Sequence, residues 1–194
     1  MINDGDDLLS VRLTHGDSHV FIGTNRGMSI RFPETDARPM GRVTAGVRGI
    51  NLRKGDFVEE VAIFDSTQET DILVVTDLGF GKRTPIGEFR VQHRGGYGVK
   101  LIQLTKKNGV VAAIRHVEED DEILVVTEGG MMIRMNTAEI RRIGRATQGV
   151  RIIRLKEGDR VVSVARAEAS GDEEFDSTDD EGVEPLADPA GEDA

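Results

Sequence analysis

The sequence predicts an all-β fold, built as an array of propeller-like blades with about four short strands each. Three observations lead to this prediction. The chain repeats itself at a long interval, with two closely similar segments 103 residues apart. Short β-branched runs end at turns that contain glycine, which is typical of hairpins. No window has a convincing helical periodicity.

The longest repeat is GRVTAGVRGINLRKGDFV at 41–58 and GRATQGVRIIRLKEGDRV at 144–161. Both segments fit GRxTxGVRxIxLxxGDxV. A diverged copy between them contains Gly98-Val99-Lys100, so the true unit is about half of the 103-residue interval. Units of this length are typical of propeller blades or β-solenoids. One unit cannot bury both of its faces, so consecutive units must pack on each other.

A predicted hairpin recurs in step with this repeat. Its first strand is VFIGT at 20–24, ILVVT at 72–76 and ILVVT at 123–127. The turn then supplies a left-handed residue in each copy, at Gly27, Gly79 and Gly130. The second strand carries an arginine at the same interval, at Arg31, Arg83 and Arg134. Because side chains alternate along a strand, we expect these three arginines to point the same way.

The charge distribution divides the chain into two parts. Residues 167–194 hold 12 acidic residues, no basic residue and few large apolar ones, so we predict a disordered acidic tail. Residues 1–166 hold all 25 basic residues and 23 acidic ones, a net charge of +2. We predict one domain over 1–166, an incomplete array with repeats near 5–40, 41–92, 93–143 and 144–166.

Several functional classes are disfavoured by composition. The chain has no cysteine, which excludes disulfides and thiolate zinc sites and suits a cytoplasmic protein. No apolar run is long enough to span a membrane. The histidines lack metal-ligand spacing, so we predict no metal site. GFGKRT at 79–84 departs from a nucleotide phosphate loop, because Arg83 stands where Ser or Thr should follow the lysine. With no catalytic triad or convincing carboxylate pair, we expect no enzyme activity from this chain alone.

Basic residues recur at matching positions of the repeats, and we predict that they form a phosphate-binding rim. Arginine binds phosphate through two parallel hydrogen bonds, and Gly-rich turns add main-chain donors. The alternative is that scattered basic residues merely keep a β surface soluble. The candidates are Arg42, Arg48, Arg53, Lys54, Lys82, Arg83, Arg94, Lys100, Arg134, Arg145, Arg151 and Arg154.

The segments GRVTAGVRGINLRKGD, DILVVTDLGFGKRT, GGYGVKLIQLTKKNGVVAA and GRATQGVRIIRLKEGD closely resemble the C-terminal domain of DNA gyrase A. The resemblance covers about residues 5–166. The family's gyrase box reads QRRGGKG, and QHRGGYG resembles it with His for Arg and Tyr for Lys. This box-like loop consists of Gln92, His93, Arg94, Gly95, Gly96, Tyr97 and Gly98.

The resemblance implies a six-bladed β-pinwheel that wraps double-stranded DNA around a basic rim, of which this chain would supply roughly the last half. It implies a non-catalytic part of an ATP-dependent enzyme that introduces negative supercoils. The implied partners are DNA, the rest of gyrase A and the gyrase B protein, with ATP and Mg bound elsewhere in the holoenzyme. Two alternatives remain: the related C-terminal domain of topoisomerase IV, and a protein-interaction scaffold without DNA binding.

Overall fold

The computed structural model describes residues 5–167 and contains eleven strands and three short 3-10 helices over that range. The 3-10 helices are Glu34–Asp36, Ile86–Glu88 and Thr137–Glu139. Within the same range, no helix is long and apolar enough to cross a membrane. The strands are β1 (Ser18–Thr24), β2 (Met28–Pro33), β3 (Val58–Asp65), β4 (Asp71–Thr76), β5 (Phe80–Pro85), β6 (Val99–Lys100), β7 (Val111–Val117), β8 (Glu122–Thr127), β9 (Met132–Asn136), β10 (Val150–Arg151) and β11 (Val161–Ala167).

These strands form three consecutive antiparallel sheets with the same layout. The strand orders are β3-β1-β2-β6, β10-β5-β4-β7 and β11-β8-β9. The inner strands β3, β7 and β11 lie next to one another along the array. The short strands β6 and β10 lie at the opposite, outer edges of their sheets. The all-β prediction is confirmed.

Each sheet is centred on one of the predicted hairpins. In all three turns, the glycine amide donates to the threonine carbonyl three residues earlier, at 3.0 Å. Gly27, Gly79 and Gly130 have φ of 74°, 77° and 81°, in the left-handed region that favours glycine. The turn chemistry predicted from the sequence is therefore present in each copy.

The outer strand of a sheet comes from the following repeat. β6 pairs with β2, with Val99 opposite Ser29, and β10 pairs with β5, with Val150 opposite Gly81. This exchange crosses the predicted unit boundaries 5–40, 41–92, 93–143 and 144–166. The hairpin and the inner strand that follows it form the body of each sheet. The third sheet has three strands within residues 5–167.

The apolar core lies between the sheets. One buried cluster joins the first two sheets and includes Phe21, Phe64 and Ile72. A second joins the next two sheets and includes Val75 and Val125. Because aromatic residues are few, aliphatic side chains supply most of this buried surface. Consecutive sheets are thereby held as packed layers, with their outer edges facing away from the core.

The predicted acidic tail, 167–194, falls almost wholly outside the described residues. Ala167, its first residue, is the last residue of β11 and pairs with Glu122 of β8. The domain predicted over 1–166 therefore extends by one residue at this end.

Candidate nucleic-acid interface

The exposed basic residues of the repeat motif lie along the outer edges of the sheets. Lys100 is in β6 and Arg151 is in β10, and both are exposed. Arg48 occupies the same repeat position and is also exposed. A second basic position of the motif lies six residues earlier in each copy. We call these two positions in the three copies the basic belt: Arg42, Arg48, Arg94, Lys100, Arg145 and Arg151.

One hydrogen bond recurs along the basic belt and joins its neighbouring copies. The Arg94 guanidinium Nη1 donates to the Arg48 carbonyl oxygen at 3.1 Å. One repeat later, Arg145 Nη1 donates to the Lys100 carbonyl oxygen at 3.3 Å. The six cations therefore follow one another from repeat to repeat, along the segment before β3 and the outer edges of the first two sheets.

Aromatic rings lie beside the basic belt at two positions. The Arg53 guanidinium carbon is 5.9 Å from the centre of the Tyr97 ring, and that of Arg151 is 4.9 Å from the Phe80 ring centre. Lys107 Nζ also lies 5.8 Å from the Phe80 ring centre. These distances are within the range of cation–π attraction. Lys54, Arg154 and Lys107 are exposed, so they are available beside the belt.

The box-like loop at 92–98 packs against the first sheet and the segment before it. Gly95 N donates to Gly49 O at 2.5 Å, and Asn51 N donates to Gly96 O at 2.8 Å. Gln92 N donates to Arg31 O at 2.8 Å. These main-chain bonds show that the loop's glycines allow close packing within the protein. His93 projects into solvent with its side chain fully exposed.

A carboxylate at the end of each of the first two 3-10 helices holds the loop of the next repeat. Asp36 Oδ2 accepts from the Arg94 main-chain nitrogen at 3.4 Å. Glu88 Oε2 accepts from the Arg145 main-chain nitrogen at 3.0 Å. Glu139 occupies the same position in the third copy. These positioning residues were not predicted from the sequence, although their spacing of 52 and 51 residues was a usable signal.

The prediction that Lys82 belongs to the rim is corrected by the structure, because its side chain is completely buried. Its ammonium donates to Gly144 O at 2.8 Å and to Arg145 O at 2.7 Å. Burial lowers the pKa of this group to about 8. Lys82 therefore supports the belt loop of the next repeat from beneath and cannot reach a phosphate. This placement also argues against a nucleotide loop at 79–84.

Arg83 was also predicted to be a rim residue, but only 4% of its surface is exposed. Its Nε donates to Ile140 O at 3.0 Å, and its Nη1 lies 3.3 Å from Asp71 Oδ2. A buried guanidinium needs such partners, and burial keeps this one away from DNA bound at the surface.

Arg31 and Arg134 occupy the same repeat position as Arg83. Arg31 is also buried, and its Nε donates to His19 Nδ1 at 3.0 Å. Arg134 is half exposed, and its Nε donates to Glu122 Oε2 at 2.8 Å. His19 and Glu122 are themselves equivalent to Asp71, so the expected common direction of the three arginines is confirmed. That direction is along the sheet toward the preceding strand, and Arg134 is ion-paired there.

Lys82 gives a testable dependence of stability on pH. Its pKa is about 8 in the folded protein and 10.5 without burial, so the unfolded chain holds the proton more tightly between these values. The free energy of unfolding should therefore rise with pH across that window and fall as pH drops through 8. Between pH 7.5 and 9.5 we expect a gain of about 2 kcal/mol from this group.

Urea unfolding of the Lys82→Met variant at the two pH values measures this gain by difference. The variant should lose it, whereas the exposed Lys54→Met variant should retain it. Equal pH dependence in the Lys82→Met variant and the unsubstituted protein would contradict the assignment.

Among residues 5–167, no group of three or more His, Asp or Glu side chains could hold a metal ion. The site is a row of cations on a β framework, of which Arg42, Arg48, Lys100 and Arg151 are exposed and Arg94 and Arg145 are partly buried. Such a row can bind a polyanion through charge and hydrogen bonding, and its contacts would be to phosphates.

Comparison with known proteins agrees with this framework. A family profile described as "DNA gyrase C-terminal domain, beta-propeller" matches residues 18–65, 70–117 and 121–168. The chain is 43% identical over 171 residues to the DNA gyrase A protein of Staphylococcus aureus (strain MRSA252), covering 88% of this chain and 19% of that protein. The chain therefore spans about a fifth of the length of this relative.

Two solved structures are similar over 86% of this chain, each with 29% sequence identity. The structure of a DNA gyrase A C-terminal domain has a TM-score of 0.76, and 56% of it is covered. The C-terminal domain of DNA topoisomerase IV has a TM-score of 0.78, and 52% of it is covered.

Proposed function

Because the chain belongs to the DNA gyrase A C-terminal domain family, we propose that its basic belt binds double-stranded DNA without sequence preference and bends it along the outer edges of the sheets. The observation that carries this proposal is the recurring hydrogen bond between belt residues of neighbouring repeats. It links Arg94 to Arg48 and Arg145 to Lys100, and so supports a series of cations that continues from one repeat to the next.

The belt suits the phosphate backbone for two physical reasons. Exposed guanidinium groups neutralise phosphates and release condensed counterions, which favours binding at low salt. Bending 20–30 bp of duplex by 40–90° costs on the order of 1–6 kcal/mol, so contacts must be spread along an arc. Belt cations from three successive repeats provide such a distribution, whereas a single cluster would contact only a short part of the bent duplex.

We further propose that this DNA wrapping serves negative supercoiling by a whole gyrase. In that assembly the chain acts as a non-catalytic element with the rest of gyrase A and with the gyrase B protein. ATP and Mg are bound elsewhere in the holoenzyme, and the setting is the chromosome in the cytoplasm. If the DNA is always wrapped with the same handedness, the wrap determines the sign of the DNA crossing on which the enzyme acts.

A second candidate is the corresponding role in topoisomerase IV. The TM-score of 0.78 to that enzyme's C-terminal domain favours it as much as the other structural match favours gyrase. The 43% identity to a gyrase A protein favours gyrase. A scaffold without DNA binding would not need a continuous series of exposed cations.

The test measures binding and wrapping separately. Affinity of the purified chain for a duplex of about 150 bp, one persistence length, is measured across a salt series. We expect the logarithm of the binding constant to fall with log salt by several units, at about 0.9 per phosphate contact. Salt-independent binding, or none, would contradict the DNA-binding proposal.

Wrapping is then read from ligation of a nicked plasmid in the presence of the protein. We expect a linking-number change that grows with protein concentration. Strong binding without such a change would retain DNA binding but reject wrapping, and it would favour the topoisomerase IV role.

A further inference from the structure

The buried arginine of the first sheet lacks the carboxylate partner that its equivalents have. Arg83 lies 3.3 Å from Asp71 Oδ2, and the third sheet has a corresponding arginine–glutamate pair. Beside Arg31, the residue in the place of these carboxylates is His19. Only 8% of the Arg31 surface is exposed, and this arginine forms no ion pair with any residue of the range 5–167. The first sheet therefore contains a buried positive charge without a compensating negative one.

His19 is uncharged in this position. Arg31 Nε donates to His19 Nδ1 at 3.0 Å, and Arg31 Nη2 lies 2.7 Å from the same nitrogen. Because a guanidinium group can only donate, this ring nitrogen carries no proton. Burial, and then the positive charge of Arg31, also lowers the pKa of His19. His19 thus supplies a hydrogen-bond acceptor to Arg31 but no negative charge.

Arg31 is held in place and still has hydrogen-bond donors to offer. Besides the two bonds to His19, its Nη1 donates to Ile86 O at 3.1 Å. The Phe64 ring centre lies 5.3 Å from the guanidinium carbon. A guanidinium group has five N–H donors, and the contacts made within the described part of the chain use three. One N–H on each Nη nitrogen is therefore available to a ligand.

These donors are beside a cavity of about 470 Å³, which lies between the first two sheets at the ends opposite the hairpin turns. Arg31 is part of its wall, together with Ser66 and Thr67 from the loop that joins β3 to β4. Arg142 forms a further part of the wall. The volume is within the range of small-molecule sites. The cavity shares no residue with the basic belt.

The charged groups near the cavity leave an excess of positive charge. Arg142 Nε donates to both Asp71 oxygens, at 3.0 and 2.9 Å, and Arg83 pairs with the same carboxylate. One carboxylate thus serves two arginines, and Arg31 adds a third. Glu69 also lines the cavity, but it is exposed, so solvent and salt screen its charge. The less exposed part of the site therefore has two more positive charges than negative ones.

We propose that this cavity binds a phosphate group, either free or carried by a small organic molecule. Phosphate oxygens accept from the remaining Arg31 donors and from the Nη groups of Arg142, and the two negative charges of the group balance the excess. A guanidinium fork fits phosphate geometry and forms charge-assisted hydrogen bonds with it. In the second sheet the Asp71 carboxylate already fills this role, so the substitution by His19 is what creates the site.

Calorimetric titration of the 194-residue chain with inorganic phosphate tests the proposal. It is done without DNA, at constant ionic strength and near pH 7.5, where phosphate is mainly a dianion. We expect one saturable site with a Kd below about 1 mM. Titration with adenosine 5′-monophosphate then separates the two sources. Tighter binding of the nucleotide would assign the site to a phosphorylated molecule, and weaker binding would assign it to the free ion.

The decisive variant is His19→Asp, which gives Arg31 the carboxylate that Arg83 has. It should weaken phosphate binding by at least about 10-fold. Because an ion pair replaces an uncompensated charge, the variant should unfold at the same temperature as the unsubstituted chain or a higher one, so the loss would not reflect misfolding. The control is His19→Gln, which keeps a neutral acceptor and should retain binding.

Two further measurements locate the bound phosphate. The NMR signals of the main-chain amides at 66–68 should shift as inorganic phosphate is added, because this loop lines the cavity. The Arg48→Ala/Lys100→Ala/Arg151→Ala variant removes three cations of the basic belt and should bind inorganic phosphate at this site with unchanged affinity.

Three results would overturn the proposal. One is the absence of saturable binding of either probe up to about 10 mM. Another is a His19→Asp variant that binds phosphate as tightly as the unsubstituted chain. The third is loss of binding in the belt variant, which would place the phosphate on the basic belt. Because DNA is absent, failure of this proposal leaves the DNA-binding proposal to its own salt-series test.

Discussion

A triple variant, Arg48→Ala/Lys100→Ala/Arg151→Ala, is expected to lose roughly 10²–10³-fold in affinity for duplex DNA at moderate salt. The three residues occupy one position in successive repeats, and all are exposed. Their removal takes three phosphate contacts from one continuous series. The slope of log affinity against log salt should therefore decrease by about 3. Fluorescence anisotropy across a salt series measures both quantities.

The matched control removes the same charge from the opposite side of the sheets. Arg12, Arg115 and Arg166 each form an ion pair with a carboxylate at or near the inner strands. Their triple alanine variant should leave the salt slope unchanged and reduce affinity only modestly through net charge. If both triple variants lose affinity and slope equally, DNA binding depends on net charge and the belt has no special role.

The second large effect concerns stability. Gly98→Ala is expected to destabilise the fold by about 3–5 kcal/mol. Gly98 has φ of +70°, and an added Cβ would lie 2.0 Å from Ser29 O, a main-chain atom that cannot move without breaking the pairing of β2 with β6. The backbone strain of a positive φ and the steric overlap with Ser29 O therefore both destabilise the variant. Urea unfolding monitored by circular dichroism measures the loss.

Gly96→Ala is the control within the same loop. Its φ is not positive, and the nearest atom to an added Cβ is Ile30 Cδ1 at 3.8 Å, an ordinary contact. We expect a change below about 1 kcal/mol. A Gly98→Ala variant no less stable than Gly96→Ala would mean that β6 does not hold the first two sheets together.

The box-like loop and the buried arginines show which features of the site could not be predicted from the sequence. In the box-like loop, the Gly95 amide donates to Gly49 O in the preceding repeat, a contact that the sequence pattern does not indicate. Repeat spacing correctly indicated that Arg31, Arg83 and Arg134 share a direction. It could not indicate burial, because an exposed arginine and one whose donors reach neighbouring carbonyls have the same sequence pattern.

Local patterns along the chain were enough to indicate the all-β class, the repeat length, the three hairpins with their turn glycines, and the recurrence of basic residues at matching positions of the repeats. These features depend on local geometry: strand alternation, a left-handed residue in each turn, and a motif that returns at a constant interval. Long-range packing was needed to show which repeat supplies the outer strand of each sheet. It was also needed to show that Lys82 and Arg83 are buried while Lys100 and Arg151 are exposed. A strand that pairs with the preceding sheet makes contacts between residues about 70 positions apart in the chain, such as Ser29 and Val99. The burial of a charged side chain on such a strand depends on the residues that pack around it, and these are distant in sequence.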